Sequence, residues 1–249
     1  MTNEDISGLI EAIAYRLALI RQTAAQSAAK AGRSAQDVEI VAVSKRQPET
    51  LIRAAYACGL RCFGENYAEE ALEKIENLSD LPGLHWDIVG HIQSRKVKLI
   101  ADRVARVHSV DSLKLAGMLS QLRQADLPAL DVLLEVNVSG EESKGGFPAV
   151  SVGDWNNLQA IVDSVKRLPR LRLCGLMCMP PLQTNMEDNR IYFRKLRELK
   201  EFLNAAHPDL GLRELSMGTS SDYPIAIEEG ATLIRLGEAI LGPRPLKEV

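Results

Sequence analysis

Apolar, β-branched runs recur eight times along this chain with helical stretches between them, and this alternation restricts the fold more than any other feature. The runs are 39–45 (EIVAVSK), 61–66 (RCFGEN), 85–90 (HWDIVG), 106–111 (RVHSVD), 131–138 (DVLLEVNV), 171–179 (LRLCGLMCM), 212–218 (LRELSMG) and 232–237 (TLIRLG). Segments 48–58, 67–77, 92–102, 112–124, 154–167, 187–206 and 222–229 read as helices. Strands alternating with helices predict a parallel sheet, and eight strands is the number that closes into an α/β fold of the (β/α)8 TIM-type barrel. An open doubly wound sheet is the alternative reading. Ile6, Leu9, Ile10, Ile13, Leu17 and Ile20 form one stripe of an extra N-terminal helix. No Pro-rich linker or low-complexity stretch interrupts the pattern, so one domain is expected over 1–249.

Closure has a chemical consequence, because such barrels place their active sites at the C-terminal ends of the strands. Lys45 stands at the end of the first run, just before Pro48 and Glu49 open a helix. The stretch SMGTSSDYP (216–224) has the composition of a phosphate-binding turn, with an N-cap and turn that hold no ligand as the alternative. Gly218 permits close backbone approach, and Thr219, Ser220 and Ser221 supply hydroxyls. Gly237, in RLGEAILG, ends the eighth run before another short helix. In a closed barrel the eighth strand pairs with the first, and neighbouring strands lie about 4.8 Å apart. Lys45 is therefore expected within one or two strand spacings of both turns. A small phosphorylated aldehyde fits that span, its phosphate in the turns and its carbonyl on the amine. Pyridoxal 5′-phosphate (PLP) and a sugar phosphate in a Schiff-base aldolase both meet the description. A solvated or salt-bridged lysine is the plain alternative.

Arg235 interrupts an apolar strand, where an unpaired charge is expensive. Alternation directs it away from Ile234 and Leu236. Its expected partner is either a carboxylate such as Glu65 or Asp111, or a pyridine nitrogen, for which arginine is a known partner in PLP sites.

Charge and cysteine usage narrow the field. A net charge of −3 gives no general attraction to nucleic acid or anionic membrane. The basic cluster Arg95, Lys96, Lys98, Arg103 and Arg106 reads as a solvated helix face. No apolar run approaches the roughly 18 residues of a membrane span, and the early part of the chain resembles neither a secretory nor a transit signal. A cytoplasmic protein is expected. The pairs Cys58/Cys62 and Cys174/Cys178 are a weak match to zinc spacing. With Cys62 and Cys174 on opposite walls, no metal site and reduced cysteines are expected.

The motifs VAVSK, FGENY, HWDIVGHIQSRK, VHSVDS, EVNVSGEESKGGF, GLMCMPP, LSMGTSSDY and IRLGEAILG, in that order, resemble the pyridoxal phosphate homeostasis protein family. Its fold is like the N-terminal barrel of alanine racemase, and the match runs from about residue 6 to 243. The resemblance implies that Lys45 holds PLP as a Schiff base. It places Ser216, Gly218, Thr219 and Gly237 around the phosphate, Arg235 against the pyridine nitrogen, Asn66 beside the ring and Met177 near the cofactor. Two departures stand out: Arg95 occupies a position that is usually asparagine, and Thr219 one that is usually methionine.

The resemblance implies a PLP carrier or buffer with no catalytic residues, serving apo forms of PLP-dependent enzymes as a monomer or weak homodimer. The alternative is an amino-acid racemase of low activity. Alanine racemases add a C-terminal β-domain, which this chain, with six residues after Pro243, is expected to lack. Racemisation by two bases also requires an acid/base on each face of the substrate. Tyr67, Tyr223 and His91 are candidates by location only. Lys144, in GEESKGGF, is read as a loop lysine, with a second PLP acceptor as its alternative.

Overall fold

The computed structural model describes residues 3–181 and 183–244; the domain expected over 1–249 extends beyond these at both ends. In chain order the elements are α1 (Asn3–Lys30), β1 (Glu39–Val43), α2 (Glu49–Ala57), β2 (Cys62–Glu65), α3 (Ala68–Asn77), β3 (His85–Ile88), α4 (Val97–Ile100), β4 (Arg106–Val110), α5 (Leu113–Leu122), β5 (Leu130–Asn137), β6 (Phe147–Pro148), α6 (Val152–Lys166), β7 (Leu171–Met177), α7 (Arg190–Ala206), β8 (Glu214–Ser216), α8 (Tyr223–Glu228), β9 (Leu233–Leu236) and α9 (Glu238–Leu241). Eight strands close into a parallel ring in the order β1-β2-β3-β4-β5-β7-β8-β9, and β9 returns to β1. The closing seam registers Val41 with Arg235 and Ala42 with Leu236. The closed barrel, rather than the open sheet, is the fold, and α1 is the expected extra helix.

Alternation along the strands separates two cores. Ala42, Phe63, Trp86, Ile88, Val132, Leu134, Ile234 and Leu236 face the helices in the main apolar cluster. Val41, Cys62, Leu133, Met177 and Leu233 point inward and form a small cluster inside the ring. In α1, Ile13, Leu17, Ile20, Ala24 and Ala28 repeat at helical spacing and are buried. This face packs on α2, α8 and α9, the helices that flank the β9–β1 seam.

Two local differences from the sequence expectations have physical reasons. The helix expected over 92–102 is a 3-10 turn at Ser94–Lys96 followed by the four residues of α4. Gln93 provides no side-chain cap, and Arg95 and Lys96 put positive charge where a helix start favours negative. The two-residue β6, which sequence periodicity did not reveal, pairs with Val136 and Asn137; so short a strand leaves no periodic signal.

Candidate functional site

The loop after β1 presents Lys45 to a cavity of about 470 Å³ at the C-terminal mouth of the barrel. Its lining includes Lys45, Asn66, Met179, Thr219, Ser220, Ser221, Arg235, Gly237 and Arg244. Lys45 is half-buried, and among the described residues its amine has no hydrogen-bond or ion-pair partner. Burial lowers its pKa, and the nearby guanidinium groups of Arg244 and Arg46 lower it further, against the opposing pull of Glu65 and Glu70. A desolvated amine with a depressed pKa is the form in which lysine is nucleophilic near neutrality.

The backbone around this lysine is locked from behind. Arg46 has φ of 58°, the single positive value outside glycine among the described residues. Its N–H donates to the Glu70 carboxylate at 2.5 Å, and its guanidinium lies 5.9 Å from the Tyr67 ring centre. Lys74, buried under the loop, donates to Glu65, Glu70 and the Ser44 carbonyl oxygen, each at 2.7 Å. Ser44 Oγ also donates to Glu65 at 2.7 Å. Burial holds the Glu65 carboxyl above its ordinary value even with Lys74 beside it. The strained left-handed residue next to the reactive position is thus fixed by surrounding contacts.

The opposite wall is made by β8 and β9. Arg235 is 5% exposed and, among the described residues, has no carboxylate within 4.0 Å. It donates instead to Ser216 Oγ at 2.6 Å, the Cys178 carbonyl at 3.0 Å and Met179 Sδ at 2.8 Å. Neither Glu65 nor Asp111 pairs with it: Glu65 lies behind the sheet with Lys74, and Asp111 holds the exposed His91 at 2.8 Å. Burial pushes the Arg235 pKa down, yet a guanidinium remains charged near neutrality. A buried cation with no carboxylate in contact leaves room for an acceptor supplied by a ligand.

The turn after β8 has a less direct arrangement than its hydroxyls imply. Thr219 donates both its N–H (2.7 Å) and its hydroxyl (3.0 Å) to Asp222, which Asn189 in turn holds at 2.8 Å. Thr219 therefore shapes the turn, and Ser220 and Ser221 bring further hydroxyls to the cavity lining. Gly218 has φ of +88°, and a Cβ there would stand 2.6 Å from that of Ala226. Gly90 makes space for Asn66 in the same way, since its Cβ would meet the Asn66 carboxamide at 2.8 Å.

Of the residues singled out from sequence, Lys45, Asn66, Thr219, Arg235 and Gly237 line the cavity together. Ser216 is fully buried behind Arg235, and Gly218 shapes the turn from beneath. Met177 packs inside the ring with Val41 and Leu133, and the methionine of the cavity is Met179, two positions on. Strand alternation separates the two: Met177 ends β7 pointing inward, and the chain has left the strand by Met179. Tyr67 and His91 line a neighbouring cavity of about 240 Å³, and Tyr223 is buried in the outer core. Arg95 is exposed beside Gln93, and Lys144 reaches the Pro180 carbonyl at 3.3 Å; neither lines the Lys45 cavity.

Arg244 is the residue that sequence reading missed. Gln47 donates to the Gly242 carbonyl at 3.0 Å and Arg16 to that of Ile240 at 3.2 Å. These contacts fold the segment after α9 back over the mouth. The Gly242-Pro243 pair signals a turn, but nothing in the local sequence gives its direction.

The cysteines are free, and Cys174 and Cys178 are pushed up to about 12 by burial, as befits inert core thiols. Among the described residues no group of three or more His, Cys, Asp or Glu side chains comes together to hold a metal. No described helix is long and apolar enough to cross a membrane.

Comparison with known proteins places these features in a family. The alanine racemase N-terminal domain matches residues 11–245. A pyridoxal phosphate homeostasis protein of Pseudomonas aeruginosa is 46% identical over 232 residues, covering 93% of this chain and 96% of that one. The structure of PipY from Synechococcus elongatus with PLP bound superposes with a TM-score of 0.79 at 35% identity, covering 92% of this chain and all of that one. Alanine racemase of Corynebacterium glutamicum shares the fold, with a TM-score of 0.63 at 16% identity; 96% of this chain matches 63% of that enzyme.

Proposed function

We infer the function from the premise that this chain belongs to the pyridoxal phosphate homeostasis protein family, whose barrel is the alanine racemase N-terminal domain. The protein binds PLP as a Schiff base on Lys45 and keeps it available to the cell, without catalytic turnover. The observation that carries this reading is the unpaired, pKa-depressed Lys45 amine sharing one cavity with a buried arginine that has no carboxylate in contact. The residues suit the cofactor. Arg235 would offer a guanidinium N–H to a ring nitrogen, Ser220, Ser221 and Arg244 would contact a phosphate, and Asn66 lines the same cavity. A cavity of about 470 Å³ matches a small cofactor.

Bound PLP supplies an electron-withdrawing ring and a reactive aldehyde. The residues of this chain hold it rather than use it. A donor on the ring nitrogen keeps that nitrogen unprotonated and weakens the electron sink. Tyr67, Tyr223 and His91 do not line the Lys45 cavity, so none of them stands ready as the second base of a racemase. The reading includes a cytoplasmic location, where the four thiols stay reduced. It also includes hand-over to apo forms of PLP-dependent enzymes by a monomer or weak homodimer.

The test is the visible spectrum of the purified protein before and after borohydride, with mass spectrometry to locate the adduct. A yellow protein whose reduced adduct maps to Lys45, and which is colourless as Lys45→Ala, is the expected result. An adduct on another residue overturns the assignment. Saturable exchange of the α-proton of alanine or serine into deuterated solvent would replace the carrier with the racemase.

A further inference from the structure

The inside of a barrel of this type is ordinarily filled by branched apolar side chains, yet here a chain of polar groups crosses it. Beginning at the mouth, Arg235 donates to Ser216 Oγ at 2.6 Å, and Ser216 Oγ lies 2.8 Å from His108 Nδ1. His108 Nε2 lies 2.9 Å from Asp87 Oδ2. That same oxygen also receives Arg106 Nε at 3.2 Å and Cys62 Sγ at 3.4 Å. Ser216, His108 and Asp87 show no exposure to solvent. The residues come from β8, β4 and β3, so the column runs across the ring rather than along one strand.

The direction of every bond follows from its end. Asp87 can only accept as a carboxylate. Burial pushes its carboxyl up, but the hydrogen bond from His108 and the charge of Arg106 outweigh this and keep it ionised. Burial keeps His108 neutral, so one ring nitrogen donates and the other accepts. With Asp87 taking the proton of Nε2, Nδ1 accepts the Ser216 hydroxyl proton. The Ser216 lone pair is then turned towards Arg235. We propose that His108, anchored by Asp87, is a positioning residue: through Ser216 it fixes the Arg235 guanidinium at the angle that serves the bound ring. The proposal rests on the reading of Arg235 as partner of the ring nitrogen of PLP.

Of the column only Arg235 lines the cavity, so His108 and Asp87 act at a distance, as do groups that orient metal ligands from behind. Hydrogen bonds aligned in one direction also polarise and strengthen one another. The three acceptors on Arg235 take the place of the missing carboxylate: Nη2 gives both of its N–H bonds to Cys178 and Met179, and the second N–H of Nη1 has no partner among the described residues.

Two measurements test this. In the first, His85→Gln, His91→Gln and His207→Gln are combined so that His108 is the one histidine left. Nitrogen-15 spectra of that protein without PLP are expected to show a neutral ring protonated on Nε2 at about pH 7 to 8. A proton on Nδ1, or a charged ring, overturns the proposal whatever the protein binds. In the second, the absorption maximum and affinity of bound PLP are read in variants. Ser216→Ala and Asp87→Ala are expected to move the maximum in the same direction as Arg235→Gln and to weaken binding about tenfold, the effect of one hydrogen bond to a charged group. Asp87→Asn, whose amide oxygen can still receive Nε2–H, restores the maximum. Leu133→Ala, a cavity in the apolar interior, lowers stability and leaves the maximum in place. An unmoved maximum in Ser216→Ala and Asp87→Ala overturns the positioning role. Absence of any chromophore in the unaltered protein would instead defeat the function reading, and the tautomer would still decide the column.

Discussion

Lys74 donates to the carbonyl oxygen of Ser44 at 2.7 Å, from thirty positions further along the chain. With two more bonds it holds Glu65 and Glu70, and Glu70 in turn receives the Arg46 N–H. Both neighbours of Lys45 are therefore tied to one buried ammonium group that does not line the cavity. One lysine, whose amine has no partner among the described residues, is held at its backbone by another whose amine makes three hydrogen bonds.

Replacing Lys74 with methionine should expose this dependence. Removing one partner of a buried pair strands the other, at about 3 kcal/mol. Urea denaturation of Lys74→Met is expected to show a loss of that order. The double variant Lys74→Met/Glu65→Gln should recover part of it, because the stranded carboxylate is gone. PLP loading of Lys74→Met should fall by more than its folded fraction does, since the Arg46 turn relaxes. Unchanged stability in the single variant would contradict the clamp.

The depressed pKa of Lys45 gives stability a definite slope with pH. The folded protein binds this proton less tightly than the unfolded chain. Between the lowered value and the ordinary lysine value of about 10.4, the unfolded state holds more protons and stability rises with pH. Lys45→Met should lose that slope in a comparison of denaturant midpoints across the alkaline range. The rate of PLP uptake should rise through the same lowered value, as more amine becomes neutral.

Arg235→Met should separate binding from folding. The guanidinium is buried with no carboxylate in contact, so no charge is stranded, and the acceptors it leaves at Ser216 and Cys178 are expected to cost about 1–3 kcal/mol, which keeps the variant folded. PLP affinity should fall ten- to a hundredfold, the range for a hydrogen bond from a charged donor. Equilibrium titration followed at the visible maximum reads the loss.

Gly218→Ala tests the turn. Its left-handed backbone costs a side chain about 1–2 kcal/mol, and the new Cβ would stand 2.6 Å from that of Ala226. A lowered thermal midpoint is expected, together with weaker protection by inorganic phosphate, because the turn can form only by shifting away from α8.

The barrel was legible because its evidence is periodic. Each strand body shows inward and outward alternation, and the registered pair Val41–Arg235 follows from closing eight such strands. Lys45, Asn66 and Gly237 could be placed in one cavity for the same reason: strand ends converge whatever the loops do. What escaped sequence reading depends on side-chain direction after a strand has ended. Met177 and Met179 differ by two positions and by which compartment they enter. Arg244 depends on a reversal fixed by Arg16 and Gln47, both more than two hundred or nearly two hundred positions away. The column through His108 lay within an expected strand, but its partners come from three different strands, and no local spacing encodes such a meeting.

The seam between β9 and β1 has a bearing on synthesis. Lys45 is made almost two hundred residues before Arg235, Gly237 and Arg244, which complete its cavity. Until β9 is made, a growing chain therefore carries an ordinary solvated lysine, with no pocket to lower its pKa. On the proposed function, capture of an aldehyde by Lys45 has to wait until β9 has docked on β1, and a yellow colour would double as a report of that docking.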